Sequence, residues 1–481
     1  MPTSARKLVL PEYLVTEVAG PTDDPTVQRI QLPDDTFYWI RPRHDLHAAS
    51  WGCSTKDAGG SPSLYRYPIV LQGNGEPWDE ANLFLFELLG KSYRRNMATV
   101  LSIADDLVAY RRFLEEEDID WKIFPSHRFS KPTYRFCGYL AKQVSLDVLK
   151  VSTANRRIGV IVRFYRWLQN EGLFTPPAPP WKEEVRYIKT QGANGQQGSV
   201  RIVATDLRIR SPAQDDSLDG KVQDGGKLRP LEPEEQQWLL EALDDCGNTE
   251  MTLIHLFALL TGARIQTILT FRVRHALQTR TEGEFLVYPV GPGTGIDTKH
   301  DKKLTLFIPT WFHRELVIYG SSDRARRRRR QSVGGDSENQ YLFLSVRGAP
   351  FYVAKQDQLY LRAHPVRHHK CGQAIRQYST DYILPYIRKK YDDHFHYRFH
   401  DLRATYGMNM VDHMQLLIHT GQMSYLDVLR LVQARMGHTS VITTEQYLKF
   451  RSRQKVFRKA QDGWEDKLKD LTNRTMEGLN A

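Results

Sequence analysis

Six polar side chains stand out because their types and order could hold and attack an anion. Arg264 follows directly on the apolar run MTLIHLFALL and the Thr261-Gly262 break, so its guanidinium is held at the end of a buried segment. That placement suits a two-pronged grip on an oxyanion, although a salt bridge is the commoner use of such a residue. Lys299 stands with Lys302 and Lys303 in GPGTGIDTKHDKK, between the strand-like runs EFLVYPV and KLTLFIP. A lysine at a hairpin tip usually just meets solvent, unless something else places a phosphate there. The glycine-rich part is not a phosphate-cradling loop, because no Gly-Lys-Ser/Thr follows it. His400 and Arg403 in HDLRAT are spaced i, i+3, so on a helix both could reach one ligand. His364-Pro-Val-Arg367 has the same spacing, so that pair alone says little. His438 follows Gly437, and Tyr447 comes nine residues later. The chain has 23 tyrosines, and one near a histidine is most often a packed aromatic.

The order Arg, Lys, His-x-x-Arg, Gly-His, then Tyr is far more specific than any of its pieces. With the strings TGARI, the TK before KLTLFIP, HDLRAT and MGHTSVITTEQY, it resembles the tyrosine recombinase (phage integrase) family over residues 230–450. YLFLSVRGAP stands where that family has its next strand. The resemblance implies that Arg264 is the first active-site arginine, Lys299 the hairpin lysine, His400 and Arg403 the His-x-x-Arg pair, His438 the later histidine and Tyr447 the nucleophile. The family usually has Glu or Asp three residues after the first arginine, and Thr267 is here instead. The carboxylate that orients its neighbours is then missing or supplied from elsewhere. The 35 positions from Arg403 to His438 exceed the usual spacing, and Lys302 and Lys303 compete with Lys299.

The implied chemistry is cleavage and rejoining of DNA without metal, cofactor or ATP. Charge that builds on the phosphorus oxygens is gripped by Arg264 and Arg403, which stay protonated at any relevant pH. A free tyrosine titrates near pH 10, so Tyr447 needs a base, for which His400 is the candidate. Lys299 would protonate the leaving 5′ oxygen, and His438 would bond a phosphate oxygen. The Tyr447 hydroxyl is expected to be accessible and within reach of both guanidiniums. The implied protein is a site-specific integrase of a bacterial mobile element, cytoplasmic and nucleoid-associated. Its partners would be double-stranded DNA, further copies in a tetramer on two duplexes, and other recombinase subunits. Two alternatives stay open: relaxation of DNA in the manner of a type IB topoisomerase, and a catalytically silent DNA-binding subunit on the same scaffold.

The elements that must position these groups are spread along 481 residues, enough for several domains. Hydrophobic residues at 41% and charged residues at 26% exclude wholesale disorder. No apolar run reaches the roughly 18–20 residues of a membrane span. Four scattered cysteines exclude a disulfide framework and fit a reducing compartment. The net charge of +11 suggests a polyanionic partner. Six of those charges come from RARRRRR (324–330), which reads either as a solvated surface loop or as a loop that grips phosphates.

Residues 1–80 form a region of unknown role, a possible extra DNA-binding module, with QRIQLPDDTFYWIRP as a candidate hairpin. Residues 81–180 have helical periodicity, notably over Met97–Leu114 and STANRRIGVIVRFYRWLQNEG, with Ser152 or Thr153 as N-cap and Gly172 as stop. The resemblance makes this the core-binding, SAM-like domain. Residues 181–227 read as a flexible linker or insertion. Residues 228–450 would be the mixed α/β catalytic domain, and 451–481 a helical tail that in the family docks on a neighbouring protomer. The expected fold is thus multidomain, mainly α with a small β-sheet. Candidate DNA contacts are Arg156, Arg163, Lys302, Lys303, Arg326 and Arg328. His364, His368, His369 and Cys371 could suggest zinc by spacing, but without a paired Cys-x-x-Cys no metal is expected.

Overall fold

The computed structural model describes residues 4–14, 28–31, 37–40, 63–89, 97–191, 197–210, 221–278, 283–357, 371–438, 441–450, 465 and 467–469. They are mostly helical with small antiparallel sheets, and they form two compact units, one ending at residue 210 and one starting at 221. No helix among the described residues is long and apolar enough to cross a membrane.

In the first unit, strands β1 (Arg6–Leu14) and β4 (Ser63–Leu71) pair antiparallel, as do β2 (Gln28–Gln31) and β3 (Phe37–Ile40). The β2–β3 pair is the hairpin expected around Pro33; its turn lies outside the described residues. Helices α1 (Asp79–Glu87), α2 (Met97–Glu116), α3 (Pro132–Ser145) and α4 (Val151–Asn170) follow. Leu64, Tyr67 and Val70 of β4 share one apolar core with Leu107, Phe136, Ile161 and Phe164. Glu115 of α2 accepts bonds from the backbone N–H groups of Ala5 (3.0 Å) and Gly73 (2.8 Å). The β1–β4 ribbon therefore belongs to the helical unit rather than standing apart from it. α4 begins at Val151 with Lys150 as its N-cap, a little earlier than Ser152 or Thr153 would place it. The expected flexible stretch 181–227 is partly ordered pairing: β5 (Glu183–Gln191) runs antiparallel to β6 (Gln197–Thr205).

The second unit opens with a small hairpin, β7 (Val222–Gln223) and β8 (Lys227–Leu228). Then come α5 (Pro233–Asp245) and α6 (Thr249–Thr261). α6 is capped by Asn248, whose side chain accepts from the Met251 N–H, and is ended by Gly262 at φ +63°. A Cβ on Gly262 would lie 2.5 Å from the Tyr406 ring, so both conformation and space demand glycine there. After α7 (Ile265–Leu269) and α8 (Val273–Ala276), strands β9 (Phe285–Val290) and β10 (Leu304–Pro309) form the expected antiparallel ribbon. β9 alternates exposed and buried residues, with Leu286, Tyr288 and Val290 facing the core.

YLFLSVRGAP is not a strand. Residues 341–344 are buried and make only isolated bridges. Tyr341 bonds Asp357, which pairs with Arg272 at 2.7 Å, and the Leu342 N–H donates to the Phe271 carbonyl at 2.9 Å, so buried side chains and a few backbone bonds rather than an extended ladder hold the segment. The arginine run is not a loop either. After α9 (Thr310–Ser321), residues Asp323–Arg330 form α10, capped by Ser322. Arg324 and Arg328, one turn apart, both clasp the fully buried carboxylate of Glu250 on α6. Arg329 pairs with Asp336 and donates to the Gly320 carbonyl. Arg328, expected on DNA, is thus an internal counter-ion, whereas Arg326 is exposed.

A run of helical turns from α11 (Gln373–Tyr378) to α12 (Leu384–Lys390) leads to α13 (Asp401–His419), α14 (Tyr425–Met436) and a last helix, α15, over 441–450. Ala404, Met408, Val432, Met436 and Leu448 of these last three helices enclose a second core, together with Val222 and Leu228 of the first hairpin.

Removing Glu250 leaves Arg328 buried without its anion. Glu250→Ala should cost about 3–5 kcal/mol in urea unfolding, the range for a buried pair that has lost one partner. Arg326→Ala should change stability by less than about 0.5 kcal/mol. Similar small losses for both would show that the clasp does not hold α10.

Candidate active site

Three helix ends and the middle of a fourth helix meet in the second unit, and each delivers one of the expected side chains. Arg264 is the N-cap of α7, two residues beyond the glycine that ends α6. Arg403 lies in the first turn of α13, and its N–H bonds the His400 carbonyl. His438 follows Gly437, whose φ of +61° ends α14. Tyr447 sits in the middle of α15.

These groups converge on one carboxylate, that of Asp224 in the β7–β8 turn. Its Oδ2 accepts from Arg403 Nε at 2.7 Å, His438 Nε2 at 3.1 Å and the Tyr447 hydroxyl at 3.3 Å. Its Oδ1 accepts from Arg264 Nη2 at 3.4 Å. Asp224 is 3% exposed, Arg403 4% and His438 9%. Burial by itself would raise the Asp224 carboxyl; the His438 hydrogen bond and the charges of Arg403, His438 and Arg264 outweigh it and hold the group well below the usual carboxylate range. Arg403 also donates from Nη1 to the Gly262 carbonyl (2.6 Å) and from Nη2 to the Met436 carbonyl (2.5 Å). It thereby satisfies the negative C-terminal ends of α6 and α14 while pointing its third nitrogen at the anion. Burial and the neighbouring Arg403 push Arg264 down to about 10, which leaves it charged at neutral pH. Its Nε is buried without a hydrogen-bond partner.

His438 is oriented from behind, because its Nδ1 lies 3.0 Å from Thr444 Oγ1 on α15. A carboxylate can only accept, so Nε2 carries the proton toward Asp224. The rings of His438 and Tyr447 stack with centroids 5.8 Å apart. Gly407 makes room for the phenol: a Cβ there would lie 2.7 Å from Tyr447 Cε1. Tyr447 is fully buried, which corrects the expectation of an accessible hydroxyl; the expected nearness to the guanidiniums is present through the shared Oδ2. Burial first, then the charge of Asp224, push the phenol well above its ordinary value. Its hydrogen bond goes to Asp224, not to His400. Burial and the charges of Arg403 and Arg264 bring His400 down to about 4, so its ring is neutral at neutral pH.

Lys299 begins a tight turn in which His300 (φ +60°) and Asp301 (φ +54°) are left-handed non-glycine residues, a conformation that stores strain. Thr267 Oγ1 donates to the Asp297 carbonyl at 2.9 Å, so the residue in the acidic position pins the lysine loop to α7. Asp224, Arg264, Lys299, Lys302, His438 and Thr443 line a cleft of about 200 Å³. A wider cleft of about 490 Å³ lies along Lys302, Lys303, Arg430 and His438.

The second unit thus brings together Arg264, Arg403, His438 and Tyr447, with His400 in their field and Lys299 at the cleft. Arg156 and Arg163 lie in the first unit. Arg156 bonds the buried Asp106 at 2.8 Å, and Arg163 is exposed within the field of the same carboxyl. His364, His368 and His369 fall outside the described residues. Asp224 is the residue that sequence reasoning missed. Its signal was present: an Asp-Gly turn flanked by Val222 and Leu228 is a hairpin pattern.

No family model matches the chain, and no curated protein matches it. Among solved structures it is similar to the XerH site-specific recombinase bound to palindromic difH substrate, at 15% identity, 80% of this chain, 85% of that chain and TM-score 0.42. It is similar to the Tn1549 transposon integrase with circular intermediate DNA at 12% identity, covering 76% and 94%, with TM-score 0.45. For a lambda integrase dimer bound to a COC′ core site the values are 12%, 78%, 77% and 0.41.

Among the described residues, burial brings His255, His275 and His400 each down to about 4 and lowers His313 as well. In the unfolded chain they take up protons from about pH 6.5. Stability should therefore be undiminished above pH 6.5 and fall as the pH drops from there to about 4. Urea unfolding across that window checks this, and His255→Asn should flatten the slope. A slope unchanged by the substitution would show that His255 is not buried neutral.

Proposed function

We propose that this chain cuts and rejoins double-stranded DNA as a site-specific tyrosine recombinase of a bacterial mobile element. The observation that carries the reading is the convergence of Arg264, Arg403, His438 and Tyr447, from four separate places in the helical framework, on one anion. Donors so placed suit a phosphodiester, whose transition state adds charge to the non-bridging oxygens. The phenol oxygen of Tyr447 attacks phosphorus as its bond to the 5′ oxygen breaks. The products are a 3′-phosphotyrosine and a free 5′-hydroxyl. His400, neutral at working pH, accepts the phenol proton; Lys299 gives one to the leaving oxygen. A 5′-hydroxyl from another strand reverses the step, so no outside energy source enters.

Lys302, Lys303 and Arg326 are the phosphate contacts we assign to the second unit, and Arg163 that of the first, where Arg156 is taken up by Asp106. Residues 451–481 would dock on a neighbouring copy, giving a tetramer on two duplexes. Tyr447 is fully buried with its hydroxyl on Asp224, so it must be uncovered before attack. The same burial is what a silent DNA-binding subunit would show, so the test must detect chemistry.

A nicked suicide duplex carrying the ends of the encoding element should trap a covalent protein–DNA adduct, and Tyr447→Phe should abolish it. Arg264→Ala should slow adduct formation by about 10²–10³-fold, as for loss of one oxyanion donor. Lys299→Ala should slow it by about 10²–10⁴-fold. Relaxation of any supercoiled plasmid would assign topoisomerase activity instead, and an adduct that survives Tyr447→Phe would refute the nucleophile.

A further inference from the structure

We propose that Asp224 is an internal stand-in for the substrate phosphodiester: its carboxylate occupies the anion seat and must leave before DNA is gripped. The inference rests on the strand-cleaving reading for the identity of the anion displaced. Its own basis is the donor set. Arg264 Nη2, Arg403 Nε, His438 Nε2 and the Tyr447 hydroxyl all point at the two oxygens of one side chain. A phosphoryl group seated on those donors would meet a carboxylate of like charge at hydrogen-bond distance, so the two anions exclude each other.

Three further observations fit displacement. Arg264 Nε is buried with no partner. The planar carboxylate leaves it unmet, whereas a tetrahedral phosphoryl group has further oxygens to offer. The turn that carries Asp224 is small, and its strands are tied to their surroundings by the Gln223 N–H on Gln446 and the Lys227 carbonyl on Arg398. Its strands are two residues long, and Gly225 and Gly226 follow at φ +69° and +157°. Val222 and Leu228 anchor the strand ends in the core, and the gate needs only the turn between them to move. A receiving place exists beside it. Lys299 Nζ lies where it would meet a Cβ of Gly225 at 3.1 Å, in the cleft shared with Lys302.

The carboxylate also governs the nucleophile. While Asp224 accepts from the Tyr447 hydroxyl, the phenol keeps its proton and stays buried. Arrival of a phosphodiester would exchange one anion for the other and free the hydroxyl in the same event. The protein would then be silent without DNA and armed by it.

The alternative for the same contacts is a positioning carboxylate that replaces the acid missing at Thr267 and holds the arginines for phosphate. The two differ in sign. Orthovanadate, a phosphate analogue, is titrated by calorimetry into the full chain and into Asp224→Asn and Asp224→Ala. A gate closed about nine-tenths of the time weakens the apparent affinity about tenfold, so both variants should bind vanadate about tenfold more tightly than the wild type. Equal or weaker binding in Asp224→Asn, with its melting temperature retained, overturns the proposal. Arg264→Ala should lose vanadate and so shows that the titration reads this seat.

If both Asp224 variants fail to fold, the wild type supplies the answer. The Tyr447 ¹³Cζ resonance, assigned by its loss in Tyr447→Phe, should shift at vanadate saturation as the carboxylate departs. An unmoved resonance overturns the gate. Tighter vanadate binding with no DNA adduct from any variant would keep the gate and refute the recombinase. Adduct formation with weaker vanadate binding in the variants would do the reverse.

Discussion

Two guanidiniums buried side by side repel each other, and each has lost most of its water. Arg264 and Arg403 solve this with a shared anion, the carboxylate of Asp224, and much of the second unit is arranged around that contact. The anion brings His438 and Tyr447 to the same two oxygens. The β7–β8 hairpin is bound to α13 and α15 through it, and Arg403 extends the network into the carbonyl ends of α6 and α14. Without an anion at this point the pocket would hold uncompensated positive charge. With one, it holds the geometry needed to receive another anion. That duality joins stability to function: the same donors that settle the fold are those that would stabilise a phosphoryl transition state.

The arginines elsewhere show how poorly charge counts predict role. RARRRRR looks like a phosphate-gripping loop, yet α10 turns Arg324, Arg328 and Arg329 onto Glu250, Asp336 and backbone carbonyls. The physical reason is helical period. Residues one turn apart face the same way, and a buried Glu250 in an apolar helix requires cations within reach. Only the opposite side of α10 is left for solvent or a polyanion. Asp106 in the first unit does the same to Arg156. A positive net charge of +11 therefore includes arginines already committed to internal carboxylates.

The lysine loop illustrates a different compensation. Thr267 stands where an acidic residue was expected, and its hydroxyl fastens the Asp297 carbonyl next to the strained turn of Lys299. The carboxylate beside Arg264 is that of Asp224, 40 positions earlier in a segment read as linker. The hairpin is legible in the sequence, but its partners are not, because Asp224 meets Arg403 and Tyr447 only once the hairpin packs on α13 and α15.

Much was legible beforehand. The apolar run of α6 and its terminating Gly262, the β9–β10 ribbon, the β2–β3 hairpin and the helices through Met97 and Ile161 follow from periodicity and backbone chemistry, which act within a few residues. The six expected site residues were legible as an ordered set of types. Tertiary packing alone decided that Asp224 joins them, that Tyr447 is fully enclosed, that RARRRRR is a helix with buried arginines and that residues 341–344 are held without a ladder. Each of those outcomes turns on where charge and polar groups find partners after burial. Such partners lie tens to hundreds of residues apart, so short-range pattern determines elements and candidate groups, while desolvation in the folded chain determines which groups are paired, hidden or free to react.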